Sequence, residues 1–257
     1  EPVTSLPAAP PASPVAGAES PLRRRLRRFP ATYAILGSTI LVFLAQEVSL
    51  QIAGFDWVLE WGAKFGPAIR SGQVWRLVTP LLLHAGLLHL FANMYSLNAI
   101  GPAVERLFGT PRLLTFYLLA GVAGVTLSLA FSPYRSVGAS GAIFGLLGAL
   151  GVFLYRHRKT FGPASQVQLR QIVLVALLNL GLGLMPGIDN WGHLGGLLAG
   201  ALLAAGFGPR LEPVGVEEGR LLLVDRRPWR RVRGGVLAAG GLVAVLAAAA
   251  LFSPFGV

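Results

Sequence analysis

Seven apolar stretches of roughly membrane-crossing length succeed one another along the chain, and no other feature narrows its possible folds as much. They lie near 33–52, 82–101, 112–131, 138–155, 170–185, 191–208 and 234–252. A helix needs about 20 mostly apolar residues to cross the hydrocarbon layer. Several of the runs are shorter, at 16–18 residues, so their spans depend on where the helices end. Inside lipid every backbone N–H and C=O must be satisfied within the segment, which a helix achieves and an open strand does not. The expected fold is therefore all-α, a polytopic helical membrane protein. Composition agrees, with 54% apolar and only 13% charged residues, against about a quarter charged in soluble domains. The 33 glycines suit close helix packing in lipid. The absence of cysteine excludes disulfides, thiolate zinc sites and cysteine nucleophiles.

The net charge of +11 follows from topology. With residue 1 in the cytoplasm, eighteen Lys and Arg residues fall inside and only Lys64, Arg70, Arg76 and Arg135 fall outside. That asymmetry favours membrane orientation over nucleic-acid binding as the source of the charge. Four regions are expected. Residues 1–29 form a disordered, Pro/Ala-rich and then Arg-rich cytoplasmic arm, with six prolines in the first 21 residues. Residues 30–208 form a six-helix core. Residues 209–233, with seven Arg, form a cytoplasmic basic linker, and 234–257 form a seventh membrane helix with a short outer tail. The basic patch before 33–52 resembles a signal peptide, but the run is long enough to span and Phe43, Leu44 and Ala45 make a poor cleavage site, so a retained helix is expected. Between the first two spans, 53–81 is too polar to cross. Its Trp57, Trp61 and Trp75 suit the headgroup region.

Polar groups inside the apolar runs are costly and ask for a reason. The second run carries His84, His89, Asn93 and Asn98. The fourth opens with Gly138, Ala139, Ser140, Gly141, and the sixth with Asn190, Trp191, Gly192, His193. In an up-and-down arrangement helices two, four and six all start on the outer side, so these clusters share one depth. His89 and Asn93 are four apart and lie on one helix face. A serine hydroxyl needs a neighbouring base to become a nucleophile, and His193 is the candidate. His89, Asn93 and the Ser140 backbone N–H are candidate donors to a developing oxyanion. Gly141 with Gly145, and Gly196 with Gly200, make two small-residue faces that would let helices four and six approach closely. Gly138 and Gly141 strip bulk from around Ser140. Phe144, one turn below, is placed to pack on the His193 ring. Asp189 lies in a loop and is not expected to complete a triad. His84 is expected to be structural, and His157 to be a solvated member of a basic loop.

The set Trp75 and Arg76, His89 and Asn93, Gly138 to Gly141, and His193 with Gly196 and Gly200 resembles the rhomboid family of intramembrane serine proteases over about 30–208. The resemblance implies a six-helix core plus a C-terminal seventh helix. It implies that Ser140 is the nucleophile and His193 the base, with His89, Asn93 and Ser140 stabilising the oxyanion. Trp75 and Arg76 match a structural first-loop motif, and Glu105 an acidic position at the inner end of helix two. Phe144 stands where many members carry Tyr. The implied substrates are transmembrane segments of other proteins, cut near their outer ends from within the bilayer, with no cofactor, no metal and no nucleic acid. A bacterial inner membrane is the expected location, with the active site toward the outer face. The alternatives are a catalytically silent rhomboid-like scaffold and a small transporter. The latter would call for inverted repeats or interrupted helices with ion ligands near the midplane.

Overall fold

The computed structural model describes residues 20–217 and 220–253. The Pro-rich stretch 1–19 and the last residues of the expected outer tail lie outside the described residues. Ten helices are present among them: α1 (Pro21–Arg28), α2 (Pro30–Ala53), α3 (Trp57–Gly62), α4 (Gly66–Arg70), α5 (Leu87–Phe108), α6 (Thr110–Phe131), α7 (Ser140–Arg156), α8 (Gly162–Leu182), α9 (Asn190–Phe207) and α10 (Trp229–Ala250). The seven apolar runs correspond to α2 and α5 to α10.

Of these, α2, α6, α8 and α10 are long and apolar enough to cross a membrane by length and composition. The chain is a polytopic helical membrane protein. The three remaining long helices, α5, α7 and α9, are the ones that carry the polar clusters. α7 has only 17 residues, which at 1.5 Å per residue gives about 26 Å of length.

Three boundaries differ from the sequence reading, each for a local reason. The second run does not begin a helix at 82. Two 3-10 turns, Val74–Leu77 and Thr79–Leu82, use Leu81 and Leu83 as buried loop anchors. α5 then starts after Gly86 and runs on to Phe108 through Pro102. α8 begins at Gly162, so Arg170 lies within the helix and not in the preceding loop. Arg23 to Arg28 belong to the short helix α1, whose start is capped by the Ser20 hydroxyl accepting from Arg23 N–H.

The helical fold carries one short β element, in the stretch expected to be a linker. Residues 211–225 form an antiparallel hairpin, β1 (Leu211–Glu217) and β2 (Arg220–Asp225), with a register shift between Pro213 and Gly215. The seven arginines of 209–233, of which only Arg220 lies inside the hairpin, draw attention from its strand-forming residues Val214, Val216, Leu221, Leu222, Leu223 and Val224. The hairpin is held to the helices by Arg112. Its Nη1 donates to Asp225 Oδ2 at 3.1 Å and its Nε to the Phe207 carbonyl, and Nη2 donates to the Arg227 carbonyl.

α7 is the centre of the bundle, buried along most of its length. Leu146, Ala149 and Leu150 pack there with Leu97, Val104, Leu113 and Phe116 from α5 and α6. A helix apolar on every side belongs in such a position. On its α9 side the contact is backbone against backbone. A methyl group at Gly196 would fall inside the van der Waals shell of the Gly141 carbonyl, and one at Gly200 inside that of Gly145. This close approach brings the first turns of α7 and α9 together.

Candidate active site

The loop before α7 delivers Ser140 as the first helical residue. Ser136 pairs with Lys64 through both backbone hydrogen bonds, at 2.9 and 3.2 Å, and Gly138 N–H donates to the Pro80 carbonyl at 2.8 Å. Gly138 has φ +131°, a conformation that L side chains rarely adopt. A Cβ there would also lie 2.8 Å from the His89 ring and 3.6 Å from Ser140 Oγ. Glycine therefore leaves open a small cradle between the His89 imidazole and the Ser140 hydroxyl.

His193 enters from the first turn of α9. Asp189 caps this helix, its Oδ1 accepting from Gly192 N–H at 2.9 Å. His193 Nε2 lies 2.8 Å from Ser140 Oγ. Its ring stacks on Phe144, with centroids 4.5 Å apart and planes at 11°. Nδ1 of His193 has no hydrogen-bond partner among the described residues, so the arrangement is a pair and not a triad. Ser140 and His193 are both half-buried, and a cavity of about 30 Å³ beside them is lined also by Gly138, Gly141, Gly192 and Asp189. That volume is enough for a water molecule.

His89 completes a convergence of three helix starts, those of α5, α7 and α9. Ala85 N–H donates to His89 Nδ1 at 3.4 Å, which leaves the proton of a neutral ring on Nε2, the nitrogen facing the cradle. The three helix starts also direct free N–H groups and positive dipole ends toward one region. Asn93 is buried on the same helix, but its Nδ2 donates to the His89 carbonyl at 2.9 Å, so one of its two N–H groups is spent within α5. Gly145 lies against Ala120 of α6, where a methyl group would clash.

A sequence model of the Rhomboid domain matches residues 71–210, more than half of the 257-residue chain. The chain belongs to the rhomboid family. Rhomboid protease GluP of Bacillus subtilis is 42% identical over 178 residues, 69% of this chain and 34% of that protein. RHOMBOID-like protein 7 of Arabidopsis thaliana is 43% identical over 140 residues, 54% of this chain and 44% of the relative. Rhomboid-like protease 3 of Toxoplasma gondii is 35% identical over 153 residues, 59% of this chain and 58% of the relative. The chain thus spans between a third and somewhat over half of the length of these relatives.

In this rhomboid chain the other motif residues are brought to two separate places. Arg76 is buried in the first loop. Its Nη1 donates to the carbonyls of Glu60 and Ala63, both at 2.8 Å, and Nε to Gln73 Oε1 at 2.7 Å. Trp75 Nε1 donates to the Trp61 carbonyl at 3.0 Å. The same loop is tied to the segment before Ser140 by Arg135, which pairs with Glu60 and lies over the Phe65 ring. Arg135 and, more weakly, Arg76 hold the Glu60 carboxyl below its ordinary range. Glu105 lies at the opposite end of the bundle from Ser140. It caps α2, which has no side-chain cap of its own. Its carboxylate accepts from Ala31 N–H, Thr32 N–H, Thr32 Oγ1 and Thr110 Oγ1 at 2.7–2.9 Å.

Two residues stand differently from the sequence reading. His157 is buried and not a solvated loop residue. Nδ1 lies 2.8 Å from the Phe153 carbonyl, and Leu211 N–H donates to Nε2 at 2.9 Å. Lys64, counted there only as an outside charge, is fully buried beside the segment that carries the nucleophile candidate. The one signal for it in the sequence is weak. The chain uses 20 Arg and only 2 Lys, and Lys64 is the one that lies in the first loop.

Proposed function

We propose that this rhomboid protein is a serine endopeptidase that cleaves transmembrane segments of other membrane proteins near their outer ends. The observation that carries the reading is the 2.8 Å approach of His193 Nε2 to Ser140 Oγ, with the imidazole held flat on Phe144. With a proton on His193 Nδ1, Nε2 takes the Ser140 proton as Oγ attacks the scissile carbonyl. The new negative oxygen is received by His89 Nε2–H, the Ser140 backbone N–H and the second N–H of Asn93. Loss of one such donor costs about 10²–10³ in rate. His193 then returns its proton to the leaving amine, and an acyl-enzyme remains on Ser140. Water in the adjoining cavity hydrolyses it, with His193 again taking a proton. The chemistry draws on this chain's side chains and backbone and on water.

A substrate helix must unwind locally before attack, because helical carbonyls are hydrogen-bonded and shielded. The crowded glycine surroundings of Ser140 favour small residues at the cut. Charge asymmetry supports a cytoplasmic N-terminus and an active site toward the outer face of a bacterial inner membrane. Residues 30–208 form the protease core, and α10 is the added seventh helix. The test is labelling of detergent-solubilised protein with a fluorophosphonate probe. Wild type is expected to label and to cleave a membrane-anchored reporter, and Ser140→Ala to do neither while remaining folded. Labelling that persists in Ser140→Ala, or its absence from folded wild type, would end the nucleophile assignment and favour a non-cleaving scaffold.

A further inference from the structure

Lys64 lies between α3 and α4, and no part of its side chain reaches solvent. An ammonium group has three N–H donors and no acceptor. Here the three meet three oxygens, Ser128 Oγ at 3.0 Å, the Ser132 carbonyl at 3.0 Å and the Ser128 carbonyl at 3.5 Å. All three lie at the C-terminal end of α6, the negative end of a helix dipole. Among the described residues no carboxylate touches the group. Burying an ammonium against neutral oxygens is expensive, and burial lowers the pKa of Lys64, with Asp189 opposing from a distance. A surface-directed lysine would avoid that cost, so the placement asks for a use.

The backbone of Lys64 supplies one. Its N–H and C=O both pair with Ser136, four residues before Ser140. Between them lies Gly138, and the glycine that permits its φ of +131° also leaves the segment with little conformational preference of its own. The path from α6 to the nucleophile is held at three points, by Lys64 at Ser136, by the Pro80 carbonyl at Gly138 and by Glu60 at Arg135. The first of these is itself anchored by the Lys64 ammonium on α6.

We propose that Lys64 is a positioning residue for the hydrolysis. Its side chain, fixed on the end of α6, holds the backbone that sets Ser140 against His193. This rests on the protease reading above. Lys64→Met keeps the aliphatic stem and removes the three donors. The expected result is a tenfold or greater fall in kcat and in the fluorophosphonate labelling rate per folded molecule, with KM changed less than twofold. Arg112→Met, at the opposite end of α6, is the comparison. It is expected to lower thermal stability while leaving the labelling rate per folded molecule unchanged. If Lys64→Met lowers only stability or yield and its folded fraction labels at the wild-type rate, the inference is overturned while the protease reading stands. Should Lys64→Met not fold, Ser128→Ala removes one acceptor alone and is expected to slow labelling at least threefold. An unchanged rate there overturns the inference equally. Folded wild type that does not label brings down the protease reading, and this inference with it.

Discussion

The contact between α7 and α9 makes a sharp prediction for Gly196→Ala. A methyl group at this position would lie 2.7 Å from the Gly141 carbonyl carbon and 3.1 Å from its Cα, and nearer still to the carbonyl oxygen. These are backbone atoms, so no side chain can rotate away. Ordinary carbon contacts need about 3.5–4 Å, and the two helices must therefore part by roughly 1 Å at this level. Ser140 immediately precedes Gly141, and His193 lies one turn before Gly196, so the displacement acts directly on the pair. A 2.8 Å contact lengthened by that amount is no longer a hydrogen bond. Turnover is expected to fall by about 10²-fold, the cost of a 1 Å misplacement, and stability by about 1–3 kcal/mol from overpacking. Reporter cleavage per folded molecule measures the first, and a detergent melting curve the second. Gly206→Ala on the same helix is the control, since a methyl group there meets nothing within 4 Å. Wild-type turnover in Gly196→Ala would refute the claim that glycine contact sets the distance between Ser140 and His193.

Three further outcomes are expected. Glu105→Ala removes the acceptor of four hydrogen bonds and should cost roughly 2–4 kcal/mol of stability, with the labelling rate of the folded fraction unchanged; a melting curve and a labelling time course decide it. The Glu60 carboxyl is held below its ordinary 4.5, first by its hydrogen bond from Arg135. The stability this pair provides is therefore full above pH 4.5 and lost as pH falls from there through the lower folded value, so Glu60→Gln should flatten the acid limb of a plot of Tm against pH. Burial holds the His157 imidazole below its ordinary 6.5, with Arg156 and Arg210 adding to the shift and the Phe153 carbonyl and Asp225 opposing it. Between those two values the unfolded chain binds more protons than the folded one, so its contribution is complete above pH 6.5 and declines as pH falls below it; a Tm that stays level from pH 7 to pH 5 in wild type, or declines as steeply in His157→Gln, would contradict this.

The parts of the fold that could be read from the sequence are those where one periodicity or one cost dominates. Seven apolar runs became seven long helices because lipid leaves the backbone few alternatives. The level shared by Ser140, His193 and His89 followed from alternating helix direction and the length of each run. What stayed hidden depends on contacts between distant segments. Around Leu81 and Leu83 only Pro80 and Gly86 hint at a loop in place of the first turn of a helix; the difference comes from packing, Leu83 against Gly62 of α3 and Leu81 against Gly121 of α6. The hairpin at 211–225 was obscured because six of the seven arginines of 209–233 flank it closely and only Arg220 lies inside it, and its anchor, Arg112, lies about a hundred positions away. Asn93 reads equally well as a free donor or as a helix back-bond at i−4, and only coordinates show one of its N–H groups turned to the His89 carbonyl. Lys64 looks like any loop lysine until the end of α6 is placed over it.

The buried polar groups also differ in how completely they are satisfied. At the end of the bundle away from Ser140, Glu105 accepts four hydrogen bonds and His157 has both ring nitrogens engaged. Such groups fix elements in place, and a free donor or acceptor there would only subtract stability. Near Ser140, His193 keeps Nδ1 without a partner and offers Nε2 to one hydroxyl. A carboxylate on Nδ1 would orient the ring and raise its basicity, but it would also introduce a second buried charge. Stacking on Phe144 orients the ring without that charge. His84, buried with its ring 5.0 Å from that of His89, likewise has neither ring nitrogen partnered among the described residues, so the unsatisfied histidine nitrogens gather at the Ser140 end of the bundle.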